Sequence, residues 1–213
     1  MRKLLIALLF VTACTSEEER ARKAMADEAR KAGFTLEQLE RRITEADDFR
    51  KTRKAFVPTE PVAAGKPDPI VKNVELATLV DAGWVRKVNA SERRTTSAFG
   101  RRNVTTWSIP GYRYELMSKA TKFPWLERKS GLTIALADRK FGRVTSLSTS
   151  GEMIQVKFEW AWAPTEVGTQ CCATLLGLGE KPKTYNGTAT FKARSGETLP
   201  QEIKFDEDAA GGR

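Results

Sequence analysis

Apolar residues recur at every second position near the middle of the chain: Ile154, Val156, Phe158, Trp160 and Trp162 alternate with Gln155, Lys157, Glu159 and Ala161. A repeat of two is that of a β-strand, whose successive side chains leave opposite faces. Residues 152–163 are therefore predicted to form an antiparallel strand with one buried face, ended by Pro164. Shorter runs predict strands over 84–88, 102–109, 112–117, 132–136, 143–149, 185–193 and 201–205. Turn-forming residues predict turns over 89–94 and at Pro110-Gly111.

A different period governs the first quarter. Leu36, Leu39, Ile43, Ala46 and Phe49 follow at spacings of three or four, which places them on one helical face. Thr35 and Gln38 stand where a capping box needs them. Ser16 and Glu19 repeat that signature before an Ala-, Glu- and Arg-rich stretch that Gly33 would stop. The two helices could dock on the domain, pair as a hairpin, or run end to end as a stalk of roughly 57 Å. Four prolines in FVPTEPVAAGKPDP predict an extended linker. Asp68-Pro69 then predicts a helix start, with Val71, Val74, Leu76, Leu79 and Val80 as its apolar face and Gly83 as its stop. Residues 166–182 fit a short helix or an irregular crossover. The predicted class is α+β: an N-terminal helical segment of one or two helices, then an antiparallel β-sheet domain with one packed helix. The expected divisions are 1–13, 14–56, a linker at 57–68, the domain at 69–206 and a disordered tail at 207–213.

The first residues carry an address. Arg2 and Lys3 precede a ten-residue apolar run, residues 4–13. A membrane-crossing helix needs about 20 apolar residues, whereas ten suit the apolar region of a signal peptide. The run ends in Val11-Thr12-Ala13-Cys14, which resembles the lipobox of bacterial lipoproteins. The resemblance implies diacylglycerol on the Cys14 thiol, cleavage before Cys14 and acylation of the new amine. Each buried CH2 contributes about 0.8 kcal/mol, so several chains anchor where one would not. Thr15, in place of Asp, implies the outer membrane, facing the periplasm. The whole pattern is similar to that of uncharacterised periplasmic lipoproteins of Gram-negative bacteria, which implies a location and no activity. Residues 71–120 also resemble the last helix and wing of a winged-helix domain. The linker occupies the place of the upstream helices, and an envelope protein meets no chromosome, so no nucleic-acid partner is expected.

Charge adds a candidate surface. The formal net charge is +9. Residues 86–143 hold 14 bases and 4 acids, whereas residues 144–213 hold 7 bases and 9 acids. Such a block attracts anionic surfaces within about 8–10 Å at ordinary salt. Arg93, Arg94, Arg101, Arg102, Lys119 and Lys122 are the candidate contacts for an anionic envelope polymer or periplasmic protein. The aromatics Trp107, Tyr112, Tyr114 and Trp125 are interleaved with such bases, but Arg113 should point away from Tyr112 and Tyr114.

The chemistry of the remaining residues is narrow. There is no histidine, which excludes imidazole-based triads and histidine metal ligation. Cys171 and Cys172 are expected as two buried thiols, with a vicinal disulfide as the alternative. No metal or cofactor is expected. The leading expectation is a non-catalytic binding or assembly module. The alternatives are a cell-wall-modifying enzyme using paired carboxylates and an inhibitor or immunity-like lipoprotein. Intact mass measurement of the membrane-extracted protein should give a chain that begins at acylated Cys14. Cys14→Ala should release it into the soluble fraction.

Overall fold

The computed structural model describes the backbone of residues 2–97, 104–193 and 199–206, and their side chains outside 2–16, 92–97 and 104–109. Helices α1 (Arg2–Lys31), α2 (Leu36–Glu45) and α3 (Asp47–Arg50) come first. Strands β1 (Arg53–Pro58) and β2 (Val62–Ala63), a 3-10 turn (Pro69–Lys72) and α4 (Val74–Asp81) follow. Next come β3 (Val85–Ser97), β4 (Val104–Leu116), β5 (Leu126–Arg128), β6 (Gly131–Ser150) and β7 (Met153–Pro164). Helix α5 (Glu166–Cys172), β8 (Tyr185–Lys192) and β9 (Glu202–Phe205) complete the order. One sheet has the strand order β1-β6-β7-β8-β9 with β5 beside β6, and a second has the order β2-β4-β3. The described pairings are antiparallel. The chain is α+β, with α5 packed against strand backbone.

The fold divides into two compact units. The first comprises Met1–Lys51, Arg139–Ala161 and Thr184–Arg213. Its core is aromatic. Phe49 lies 6.2 Å from Phe141, 6.1 Å from Phe158 and 6.2 Å from Phe205, centre to centre. Trp160 stacks on Tyr185 at 4.8 Å. Aromatic pairs at such separations add about 0.5–1.5 kcal/mol beyond their burial. Gly187 lies beneath the Phe158 ring; a Cβ there would stand 2.4 Å from Phe158 Cζ. The predicted alternation of β7 is observed: Ile154, Val156, Phe158 and Trp160 are fully buried.

The helices dock onto this core. Thr35 Oγ1 accepts from Gln38 N–H, and Gln38 Oε1 accepts from Thr35 N–H. Leu36, Leu39, Ile43, Ala46 and Phe49 are all buried, as their spacing predicts. Gly33, at φ +87°, ends α1: its N–H donates to Arg30 O and that of Phe34 donates to Ala29 O. This is a Schellman cap, and the buried Phe34 lies 6.2 Å from Phe191. The turn excludes an end-to-end stalk. Ser16 does not start a helix, because α1 runs through it unbroken; the stretch before it holds no proline or glycine to interrupt the backbone.

The second unit comprises Thr52–Asp138 and Trp162–Lys183. The proline-rich stretch is extended as predicted but is not a spacer: β1 pairs with β6, and β2 pairs with β4. Gly111 is required there, because a Cβ would stand 2.2 Å from Val62 O. Pro110-Gly111 is consequently inside β4, where Pro110 O accepts from Ala64 N–H. Residues 89–94, predicted as a turn, lie in β3. The helix predicted from Asp68 breaks at Asn73, whose extended backbone starts α4 and whose Oδ1 accepts from Leu76 N–H. Leu76 and Leu79 are fully buried, but Val71 and Val74 are exposed. Thr165 caps α5 by accepting from Gly168 N–H and donates to Ala135 O.

Gly168 sets how closely α5 approaches the strand, since a Cβ there would stand 2.0 Å from Leu136 O. Gly168→Ala should destabilise the protein by about 1–3 kcal/mol in urea unfolding. Gly179→Ala, where a Cβ meets nothing within 4 Å, should stay within about 0.5 kcal/mol of the parent.

Candidate functional site

The basic hairpin is the most extended feature of the second unit. β3 and β4 pair without a break from Val85↔Leu116 to Ser97↔Val104. Thirteen residues at about 3.3 Å each span roughly 43 Å. β2 covers β4 only at Gly111 and Tyr112. Beyond Ser91↔Pro110, the described residues form a two-stranded ribbon. Residues 91–110 hold four arginines against one acid.

The structure separates the predicted contacts. Arg93 and Arg94 stand in the ribbon, in register with Ser108 and Trp107. Arg101 and Arg102 lie outside the described residues. Lys119 has a structural role: its Nζ donates to Ala82 O at the C-terminal end of α4, where a cation complements the helix dipole. Lys122 is exposed. Several neighbouring bases are already matched. Arg86 and Arg113 both reach Glu115, at 3.1 and 2.7 Å. The Arg113 and Arg86 guanidinium groups hold the Glu115 carboxyl below its ordinary value. Arg139 and Arg143 belong to the first unit. There Arg139 donates to Asp48 O, and Arg143 bridges Glu159 and Glu18.

A cluster missed in the sequence fastens the foot of the hairpin. Lys87 and Tyr114 are cross-strand neighbours in β3 and β4. Both donate to the Asp68 carboxylate, Lys87 Nζ from 2.7 Å and the Tyr114 hydroxyl from a short contact. Asp68 also accepts from Ile70 N–H, so one side chain both caps the 3-10 turn and holds the hairpin. The Lys87 ammonium lies 3.7 Å from the centre of the Tyr112 ring, and Tyr112 meets Tyr114 edge to face. Burial pushes the Asp68 carboxyl up, but the hydrogen bonds from Lys87, Tyr114 and Ile70, with the Lys87 charge, outweigh it and hold it at about 2. Burial and the bond to Asp68 push the Tyr114 phenol well above its ordinary value. The cluster thus ties the 3-10 turn to both strands of the hairpin.

The first unit holds a cavity of about 670 Å³ between α1, α2 and β6. Glu18, Glu19, Arg22, Met25, Glu40 and Arg143 are among its walls. Burial raises the Glu40 carboxyl above its ordinary value. Glu18 is engaged with Arg143 at 2.6 Å. None of the described lining residues is aromatic. Among the described residues, no group of His, Cys, Asp or Glu is arranged to hold a metal ion. Cys171 and Cys172 form a vicinal disulfide at the end of α5, where buried thiols were expected.

The Asp68 carboxyl sits near 2 in the fold and near 3.9 in an unfolded chain. A depressed folded value adds stability that is complete above the unfolded value and lost as pH falls through the folded one. The thermal midpoint should drop between about pH 4 and pH 2, and Asp68→Asn should flatten that drop. Tyr114→Phe should cost about 1.5–3 kcal/mol at neutral pH. No helix among the described residues is long and apolar enough to cross a membrane. No protein family, curated protein or solved structure matches this chain.

Proposed function

We propose that this chain is a lipid-anchored protein of the bacterial cell envelope, tethered through acylated Cys14 at the periplasmic face of the outer membrane. It acts there as a non-catalytic binding or assembly module whose basic hairpin meets an anionic envelope partner. The tether rests on the order of charge, apolar run and Val11-Thr12-Ala13-Cys14. Cleavage before Cys14 would leave Glu17, Glu18 and Glu19 in the first turns of α1, where carboxylates complement the positive end of the helix dipole.

The observation that carries the binding role is the ribbon beyond Ser91↔Pro110. Among the described residues it has no third strand, it carries Arg93 and Arg94 beside the single acid Glu92, and its foot is clasped. An isolated two-stranded ribbon is marginal in water, so a long one at a fixed foot suits contact with a partner. Its charge favours an anionic one.

The cavity supports a second reading, carboxylate chemistry on cell-wall glycan. Glu40, whose carboxyl is raised by burial, lines the cavity together with Glu18 and Glu19. The pairing of Glu18 with Arg143 and the lack of an aromatic residue among the described lining residues make it the weaker reading.

Reversal of Arg93, Arg94, Arg101 and Arg102 to Glu should abolish salt-sensitive co-sedimentation with anionic vesicles and with peptidoglycan, at unchanged unfolding midpoint. Equal retention of parent and variant overturns the binding role. Peptidoglycan hydrolysis lost in Glu40→Gln would establish the second reading instead.

A further inference from the structure

We infer that the outer edge of β3 is a strand-addition site for an extended, acidic segment of a partner protein. This names the partner class for the hairpin and rests on the binding role proposed above. In the sheet order β2-β4-β3, β3 is terminal, and among the described residues it pairs with β4 alone. In an antiparallel pair, alternate residues turn their N–H and C=O groups away from the neighbour. About half of the residues of β3 therefore offer backbone donors and acceptors along an edge of roughly 43 Å.

Natural edges are commonly blunted by proline, by a bulge, by shortness or by charged side chains. β3 has only the last of these. Val85–Ser97 contains no proline or glycine, its register with β4 shows no shift, and it runs for thirteen residues. Its charge is an excess of bases, Arg86, Lys87, Arg93 and Arg94 against Glu92, which guards against some partners and not others. Like charges placed opposite one another destabilise strand pairing, so the edge disfavours a second copy of itself. An acidic strand meets the opposite situation. At the foot Arg86 and Lys87 pair with Glu115 and Asp68; farther along the strand the sequence sets Arg93-Arg94 beside a single acid, Glu92, and the selection of acid is assigned to that pair. Backbone bonding along an edge supplies affinity, and side-chain charge supplies the choice of segment.

The test uses the detergent-solubilised full chain and ten-residue Thr/Val peptides with two adjacent central glutamates. A lysine counterpart, and a glutamate peptide N-methylated at alternate residues, complete the set. The glutamate peptide should bind at least about tenfold more tightly than the lysine peptide. It should slow hydrogen exchange at alternate amides of β3, and it should lose about tenfold or more on N-methylation. R93E/R94E, checked for an unchanged unfolding midpoint, should invert the preference. No binding at millimolar peptide, indifference to N-methylation, or unchanged β3 exchange overturns the inference. If phosphatidylglycerol vesicles then retain the parent but not R93E/R94E, the binding role stands and its partner is a lipid surface. If vesicles and peptidoglycan retain neither form selectively, both readings fall.

Discussion

One face of a long antiparallel strand has to be kept from water, and the rest of the molecule follows from that. β7 presents Ile154, Val156, Phe158, Trp160 and Trp162 on a single side, all buried. Fully burying side chains of this size contributes about 1.5–3 kcal/mol each. A one-residue slip would turn the whole set outward, so register is fixed by burial. β8 answers with Tyr185, Gly187, Ala189 and Phe191 on its buried side, and the smallest of these lies under the Phe158 ring. α2 and α3 close the same core with Leu39, Ile43 and Phe49. The N-terminal helices are therefore part of the fold rather than a support for it.

The alternation of β7 and the three-and-four spacing of α2 are statements about neighbours in sequence, and tertiary structure had no reason to oppose them. Local signals failed at Ser16, where α1 runs through unbroken, and at Asn73, which ends the turn begun at Asp68. Other errors arose where a local signal met a distant partner. Pro110-Gly111 has the composition of a turn, yet Val62 O approaches so closely that only glycine fits beside it. Residues 89–94 are polar enough for a loop, yet β4 pairs with all of them. Residues 132–149 look like two strands separated by a charged break. In the fold β6 is continuous, and the charge at Arg139 is accommodated there: its guanidinium lies 4.0 Å from the Phe205 ring centre and 5.2 Å from that of Trp160 while donating to Asp48 O.

The candidate site was legible in charge and illegible in geometry. Sequence counting finds the excess of bases, but it does not separate those that hold the fold from those that face outward. Lys119 caps a helix, and Lys87 holds a hairpin. Asp68 was visible as a helix start. Its second role depends on Lys87 and Tyr114 being opposite each other across a long hairpin, a register the supposed turns had concealed. Total charge thus counts bases whose charge is spent on the fold, Lys87 and Lys119 among them.

The bond between Cys171 and Cys172 joins residues that are already neighbours. A crosslink restricts an unfolded chain by an amount that grows with the logarithm of the loop it closes, and this one closes almost none. Its entropic contribution to the fold is accordingly small, and what it constrains is the local backbone at the end of α5.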